Sequence, residues 1–587
     1  MFKYLIFIFI FLSFTTNGFT EDNITSWDDI LKSKNTPENW LTHHGSIDGQ
    51  RYSRLDTINK NNVGKLQVKW THAIEGIEGG GIWEHGGLEG TPIVEDGFIY
   101  ITDGWGSVYK LDVRNNGKKV WKMNPETDHD YPGAITCCGI DNRGVALWND
   151  KVISHTLDGR LIITNKVTGS IEKDIQLADA AISEVITAAA FVVKDSAITG
   201  VSGAEYGIRG WLNSTNLNSG ERNWRTYTIP APGEPGSETW KQGPESHSSD
   251  AWKHGGGSTW VVGSYDAELN LIYWGVGNPG PDWDNEYRPG DNLYSNSVLA
   301  LDADSGKIKW HFQYTPNDPY DYDGVNEQTL VDAKVFGKET KAVLHADRNG
   351  FAYALDRTTG RFLWGTPFVK QLDWTIGLDK YSGRPMDYDE NSDVQRYVDS
   401  TNASRAKPEG LSCPGNMGGK NWPPTAYDPE RNTYYIPVIE SCALHVNVPQ
   451  EKEWAPREFW LGGAPKMGPI ITGSVTAMDV NTGTVTGKYD MKYPNLGGLL
   501  ATKGGLIFTA EPDGKVIALD SDSLKELWSF NTNTGINAPP ITFSVDGKQY
   551  VAILAGLGGA WPKWFISTTP GLEKVPVGGQ QLFVFGL

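Results

Sequence analysis

LALDADSGKIKW, residues 299–310, reads as an alternating apolar strand, a Leu-Asp step, a turn closing on Gly306, three residues and a tryptophan. The same order returns in LDVRNNGKKVW at 111–121, LNSTNLNSGERNW at 212–224 and ALDRTTGRFLW at 354–364. Degraded copies are NKVTGSIEK around Gly169, AMDVNTGTVTG around Gly483 and ALDSDSLKELW ending at Trp528; KLQVKW, ending at Trp70, is a partial one. Asp and Gly furnish the turn between two strands, and a tryptophan can lie flat between neighbouring sheets and bury a large apolar area. One four-stranded unit cannot cover both of its faces, whereas radial repetition buries them and leaves few open edges. A single G-x-x-x-W is an ordinary hairpin, but eight copies predict an all-β, eight-bladed β-propeller with tryptophan-docking repeats, filling residues 21–587 as one domain. Strand QYVAILAG at 549–556 is expected to pair beside the N-terminal strand and latch the ring. The Pro/Gly-rich stretch 370–470 interrupts the repeat and is expected to decorate one face.

Composition agrees with many short strands and frequent turns: 68 Gly, 23 Trp and 24 Tyr, with few long helical patterns. A formal net charge of −19 argues against nucleic acid, because phosphate binding needs a basic face. It suits solubility, and also a basic protein partner. The first twenty residues, MFKYLIFIFIFLSFTTNGFT, hold one lysine, an apolar run from Tyr4 to Phe14 and then small and polar residues. That is the form of a secretory signal cut near Thr20, with an uncleaved anchor as the alternative. No other run approaches bilayer-spanning length, so the mature chain is expected to be soluble in an oxidising compartment. Its four cysteines allow three pairings. Cys137 with its neighbour Cys138, and Cys413 with Cys442, leaves none over. Two buried free thiols are the plainer reading of the adjacent pair.

Several residues carry chemistry. Asp321 and Asp323 stand two apart in NDPYDYDGVNE, so on an extended segment both carboxylates would face one site. Buried like charges that close need a proton or a cation between them; a solvated acidic turn is the alternative. Glu205 in VSGAEYG and Asn278 in WGVGNPGP add oxygen donors from glycine-rich loops. Oxygen donors without His or thiolate select a hard cation, and three carboxylates suit a trivalent ion better than Ca²⁺. Trp260 follows three glycines in KHGGGSTW, where it can stack on a planar ring or simply fill core.

The tryptophan repeat, the Cys-Cys pair and these motifs resemble the pyrroloquinoline quinone (PQQ) dependent alcohol dehydrogenases, closest to the lanthanide-dependent methanol dehydrogenase large subunit. The resemblance covers nearly the whole mature chain. It implies PQQ held between the Cys137–Cys138 ring and Trp260, with Glu89, Arg143, Thr187, Ser202, Gly203, Ala204, Ser258, Arg348 and Asn421 around it. It implies a lanthanide ion (Ca²⁺ as the alternative) on Glu205, Asn278, Asp321 and Asp323, the last being the residue that marks the lanthanide form. Asp321 is then the catalytic base, and Arg348 steadies charge on the quinone. Leu496 in YPNLGG stands where the family has a tryptophan, and Ser258 where it commonly has threonine.

These expectations amount to a periplasmic enzyme that oxidises methanol or another small primary alcohol to the aldehyde. With no C-x-x-C-H for covalent haem, its electrons are expected to pass to a separate soluble cytochrome c. Ethanol or larger alcohols form the alternative substrate class, and a non-catalytic envelope scaffold the alternative from outside enzymology. A two-carboxylate hydrolase is disfavoured, since residues two apart are poorly placed to flank a scissile bond. A homodimer is left open.

Overall fold

The computed structural model describes residues 24–130, 132–468, 471–560 and 566–587; the expected signal, residues 1–20, lies outside them. Among the described residues, strands make seven four-stranded sheets, one five-stranded sheet and smaller two- and three-stranded ones. The decisive stretch shows how a sheet is built. Ser264–Asp266, Leu271–Val276, Ser297–Asp302 and Ile308–Gln313 follow one another, each antiparallel to the last. The Leu-Asp step ends the third strand, and the tryptophan sits on the fourth.

The repeat also encodes the contact between sheets. A Cβ on the repeat glycine would fall on the tryptophan of an earlier copy: Gly117 lies 2.3 Å from Trp70 by this measure, Gly169 2.8 Å from Trp121 and Gly306 2.5 Å from Trp224. Gly360 repeats it on Trp310 at 2.6 Å and Gly483 on Trp364 at 2.7 Å. The indole N–H then donates to the carbonyl three residues before that glycine. Trp121 reaches Lys166 O at 3.1 Å, Trp224 reaches Ala303 O at 3.0 Å, Trp310 reaches Arg357 O at 3.2 Å and Trp364 reaches Val480 O at 3.1 Å. Trp121, Trp224 and Trp364 are buried and Trp310 half-buried, none with its polar edge stranded. In the degraded copy around Gly169, Lys173 takes the tryptophan's place; it donates to Asn218 O at 2.6 Å, and Gly220 meets Ile175 instead.

A matched pair of glycines tests this. Gly360 and Gly337 share a left-handed φ of +75°, but a Cβ on Gly337 meets nothing within 4 Å. Gly360→Ala is expected to cost roughly 1–3 kcal/mol more than Gly337→Ala, because it overpacks the Trp310 ring in addition to the shared backbone strain. Denaturant midpoints of the two variants check the difference.

The ring is latched by its ends. Gln67–Ala73 pairs antiparallel with Gly578–Gly586, which pairs with Lys548–Leu557. The strand at 549–556 thus lies one place further in than expected, with the last strand between it and the N-terminal one. Tyr52–Ser53 adds a parallel fifth strand beside Leu500–Thr502.

The stretch 370–470 differs from its expected role as surface decoration. It contains Ala426–Asp428 and Thr433–Glu440, the first two strands of a four-stranded sheet completed by Thr472–Asp479 and Thr484–Met491. The physical reason is that the Asp-turn-Gly-x-x-x-Trp signature marks only the last hairpin of a unit, so the opening hairpin carries no flag. The remainder holds a separate three-stranded sheet of Glu409–Ser412, Ala443–Asn447 and Gly463–Met467. The Cys413–Cys442 disulfide ties its first two strands together. No helix among the described residues is long and apolar enough to cross a membrane.

Candidate functional site

Loops from several sheets converge on a cavity of about 620 Å³, within the range of small-molecule sites. Cys137 and Cys138 form a disulfide in its wall. Glu205 rides a single 3₁₀ turn, Ala204–Tyr206, entered through Gly203 and left through Gly207, both at positive φ. Its carbonyl accepts from Trp460 N–H at 2.7 Å, which pins the turn to the long stretch. Asn278 follows strand Leu271–Val276. Before it, Gly277 packs so tightly that a Cβ would stand 2.2 Å from Asp323 Oδ1 and 2.9 Å from Ser258 Oγ.

Of the residues singled out in sequence, Glu89, Cys137, Cys138, Arg143, Thr187, Ser202, Gly203, Glu205, Trp260, Asp321, Arg348 and Asn421 line the cavity. Ala204, Ser258, Asn278 and Asp323 stand behind that lining rather than in it. Asp323 Oδ2 accepts from Trp260 Nε1 and from Arg348 Nη2, both at 2.9 Å, while its Oδ1 accepts from Asn278 N–H at 3.2 Å. The expected extended segment is absent here. Asp321 has φ +62°, and Asp318 gathers the loop by accepting from Tyr320 N–H at 2.8 Å and Tyr322 N–H at 2.7 Å. Asp321 thereby enters the cavity wall while Asp323 lies buried at the N–H edge of the Trp260 indole.

The acids share one field. Burial pushes the Asp321 carboxyl well up, against the pull of Arg348, and Asp323 and Glu205 push it further. Burial likewise raises Glu205 to about 7, with Asp323 adding to the rise. Burial raises Asp323, although Arg348 opposes it. Their oxygens do not converge as a threesome within 4.8 Å; among the described residues the grouping that does is Cys137 Sγ, Cys138 Sγ and a Glu205 oxygen. Three N–H donors hold Asp323 back, and like charge keeps the carboxylates apart.

Around the rest of the cavity, Arg143 Nη2 donates to Glu89 at 2.6 Å, and Asn537 Nδ2 donates to the other Glu89 oxygen at 3.3 Å. The Arg143 guanidinium lies over Trp260 at 4.8 Å and over Trp422 at 4.9 Å. Thr187 and Ser202 share a hydroxyl hydrogen bond of 2.9 Å. Sequence reading missed Trp422, Asn537, Asp141 and Asp282. Trp422 directly follows the chosen Asn421, and Asp282 follows Asn278 by four residues; the only available signal was proximity to a residue already selected.

Donor chemistry tests whether a polyanionic quinone and a hard cation suit these residues. Arg143 Nε and Arg348 Nε are buried N–H donors without a partner, as are the acceptor oxygens Asp282 Oδ2, Asn416 Oδ1 and Asn537 Oδ1. Buried polar atoms left so cost free energy unless something pairs with them. Guanidinium N–H groups and carboxylate oxygens left without partners around one cavity fit an anionic ring carrying a metal.

Comparison with known proteins agrees. The family described as "PQQ: Glucose/ethanol/alcohol dehydrogenase, beta-propeller domain" matches residues 40–370 and 469–551. Quinoprotein alcohol dehydrogenase PedH of Pseudomonas putida is 37% identical over 556 residues, covering 92% of this chain and 89% of that protein. Lanthanide-dependent methanol dehydrogenase of Methylacidiphilum fumariolicum is 32% identical over 615 residues, covering 95% and 94%. The solved europium-containing methanol dehydrogenase superposes with a TM-score of 0.85 at 32% identity, covering 95% of this chain and all of that one. By the family match and these identities over nearly the whole of both chains, the chain belongs to the PQQ-dependent alcohol dehydrogenases.

Proposed function

We propose that this protein oxidises a small primary alcohol, methanol foremost, to the aldehyde at a PQQ–lanthanide centre in the periplasm, and passes the electrons to a soluble cytochrome c. The observation that carries this reading is the acid cluster: Glu205 and Asp321, each raised by burial and further by the charge of Asp323 behind them, border a cavity walled by Cys137–Cys138 and Trp260. Three negative charges with the Asn278 amide match a trivalent ion better than Ca²⁺. Seven four-stranded sheets and a five-stranded one support the further reading of an eight-bladed ring.

When bound, PQQ and its cation supply a hydride acceptor polarised by a Lewis acid. The chain's own residues do the rest. Glu205, Asn278, Asp321 and Asp323 would hold the cation. Trp260 and the disulfide would face the ring, while Arg143 and Arg348 would pair with its oxygens. An Asp321 oxygen would take the alcohol's hydroxyl proton as the hydride leaves carbon, and the Arg348 guanidinium would balance charge gathering on the acceptor.

A second reading, ethanol or a larger alcohol, draws on the apolar part of the wall, where Leu496 joins Met417, Phe459 and Met467. Elemental analysis with cofactor extraction on native protein, followed by relative kcat/KM on methanol, ethanol and bulkier primary alcohols, tests both. The expected result is a lanthanide and PQQ in near-equal amounts and the highest kcat/KM on methanol. Protein carrying calcium alone would refute the lanthanide assignment. A preference for longer chains would select the second reading.

A further inference from the structure

Asp282 belongs to no residue set assigned above. It is 1% exposed, yet it borders the same cavity as Glu205 and Asp321. Its Oδ1 accepts from Asn278 Nδ2 at 2.9 Å. An amide that gives its N–H to one side must turn its oxygen to the other, so this bond fixes which way the Asn278 carbonyl oxygen points. The second oxygen, Oδ2, is buried and has no partner. Its burial, first of all, and the nearby charges of Asp321, Glu205 and Asp323 disfavour a negative charge there, and the guanidinium of Arg288 gives only partial relief. Arg288 is in turn occupied by backbone carbonyls: its Nε donates to Pro281 O at 2.9 Å, and its Nη2 donates to Asp282 O at 3.0 Å and Asp318 O at 2.6 Å. A carboxylate oxygen desolvated among three other carboxylates is costly unless a cation compensates it.

We propose that Asp282 is a fourth carboxylate of the cation centre, orienting Asn278 with one oxygen and with the other adding the charge that favours a trivalent over a divalent ion. The inference rests on the reading above that Glu205, Asn278, Asp321 and Asp323 form a cation site. Selectivity follows from Coulomb's law: a further negative charge attracts a 3+ ion more than a 2+ ion at similar distance. Removing it should therefore weaken lanthanide binding more than calcium binding, in the ratio of about three to two in free energy at similar distance.

The experiment uses the full chain freed of metal, with Tb³⁺ as probe. Trp260 donates to Asp323, so its indole is placed to sensitise Tb³⁺ emission from that centre. Tb³⁺ titrations, and Ca²⁺ competition against them, are run on the parent, Asp282→Asn and Asp282→Ser, alongside thermal melts with and without ion. Both variants are expected to bind Tb³⁺ about ten- to a hundredfold more weakly and Ca²⁺ about five- to twentyfold more weakly. Their metal-free Tm should be unchanged or higher, and the Tb³⁺-induced rise in Tm smaller. Parental Tb³⁺ affinity in the variants would overturn the inference while leaving the four-residue site standing. Equal weakening toward both ions, a lowered metal-free Tm, or failure of both variants to fold would make Asp282 a structural residue and also overturn it. A parent that does not bind Tb³⁺ would overturn the cation-site reading itself.

Discussion

Asp323→Ala is expected to lose lanthanide by at least about a hundredfold in affinity, and alcohol oxidation with it, while the propeller stays folded. Asp323 supplies one of three charges to the proposed centre, and it also accepts from Trp260, Arg348 and the Asn278 backbone. The alanine variant therefore removes a charge and at the same time frees the indole and the guanidinium that would hold the ring. Asp323→Asn separates the two effects, since the amide oxygen can still accept from one or two of those donors but carries no charge. If charge governs the metal, both variants lose the lanthanide, and only the asparagine form keeps a cavity that binds the quinone. Metal content after dialysis, quinone absorbance and far-UV circular dichroism read these outcomes separately. An alanine variant that kept lanthanide and rate like its parent would remove Asp323 from the centre.

How far the sequence could be read depended on what it repeats. The sheets were legible because each unit closes on the same turn and tryptophan, and the structure shows why that segment is constrained: the glycine and the carbonyl three residues earlier receive the indole of another copy. Residues 426–440 escaped because the opening hairpin of a sheet has no such partner to satisfy. The pocket edge from the long stretch escaped too; Met417, Trp422 and Phe459 reach the cavity from irregular chain, and nothing in an isolated Met or Phe distinguishes that from core. At the site, motif chemistry chose residues well but misjudged their geometry. Alternation along an extended segment placed Asp321 and Asp323 side by side, whereas the Asp318 side chain coils the loop and sends them to opposite sides of the cavity lining. Asp282 was hidden for a related reason: an acid in a Gly/Pro-rich loop reads as a solvated turn until the fold buries it.

Asp321→Asn is expected to weaken lanthanide binding as Asp323→Asn does and, when assayed with metal and quinone supplied to full occupancy, to lower kcat by roughly 10²–10⁴ with a small change in KM. Among the residues given a proton-transfer role, Asp321 alone borders the cavity with a carboxylate. Asparagine keeps an oxygen for the cation but no charge, and it cannot take the hydroxyl proton, so chemistry falls even where added metal restores occupancy. The pH profile carries a second signature. Burial holds the Asp321 carboxyl well above its ordinary range, Arg348 opposes that rise, and Asp323 and Glu205 add to it. A base with a raised pKa is protonated and idle at low pH and becomes competent as pH rises, so the parent's kcat should climb with pH on its acidic limb. A bound cation lowers that limb but does not reverse its direction. In Asp321→Asn the limb should vanish, leaving a low and flat rate across the same range. Metal and quinone content must be measured on the same preparation, because a variant that had lost its ion would also be slow. A variant with full metal and quinone, parental kcat and the parental acidic limb would transfer the proton step to another group.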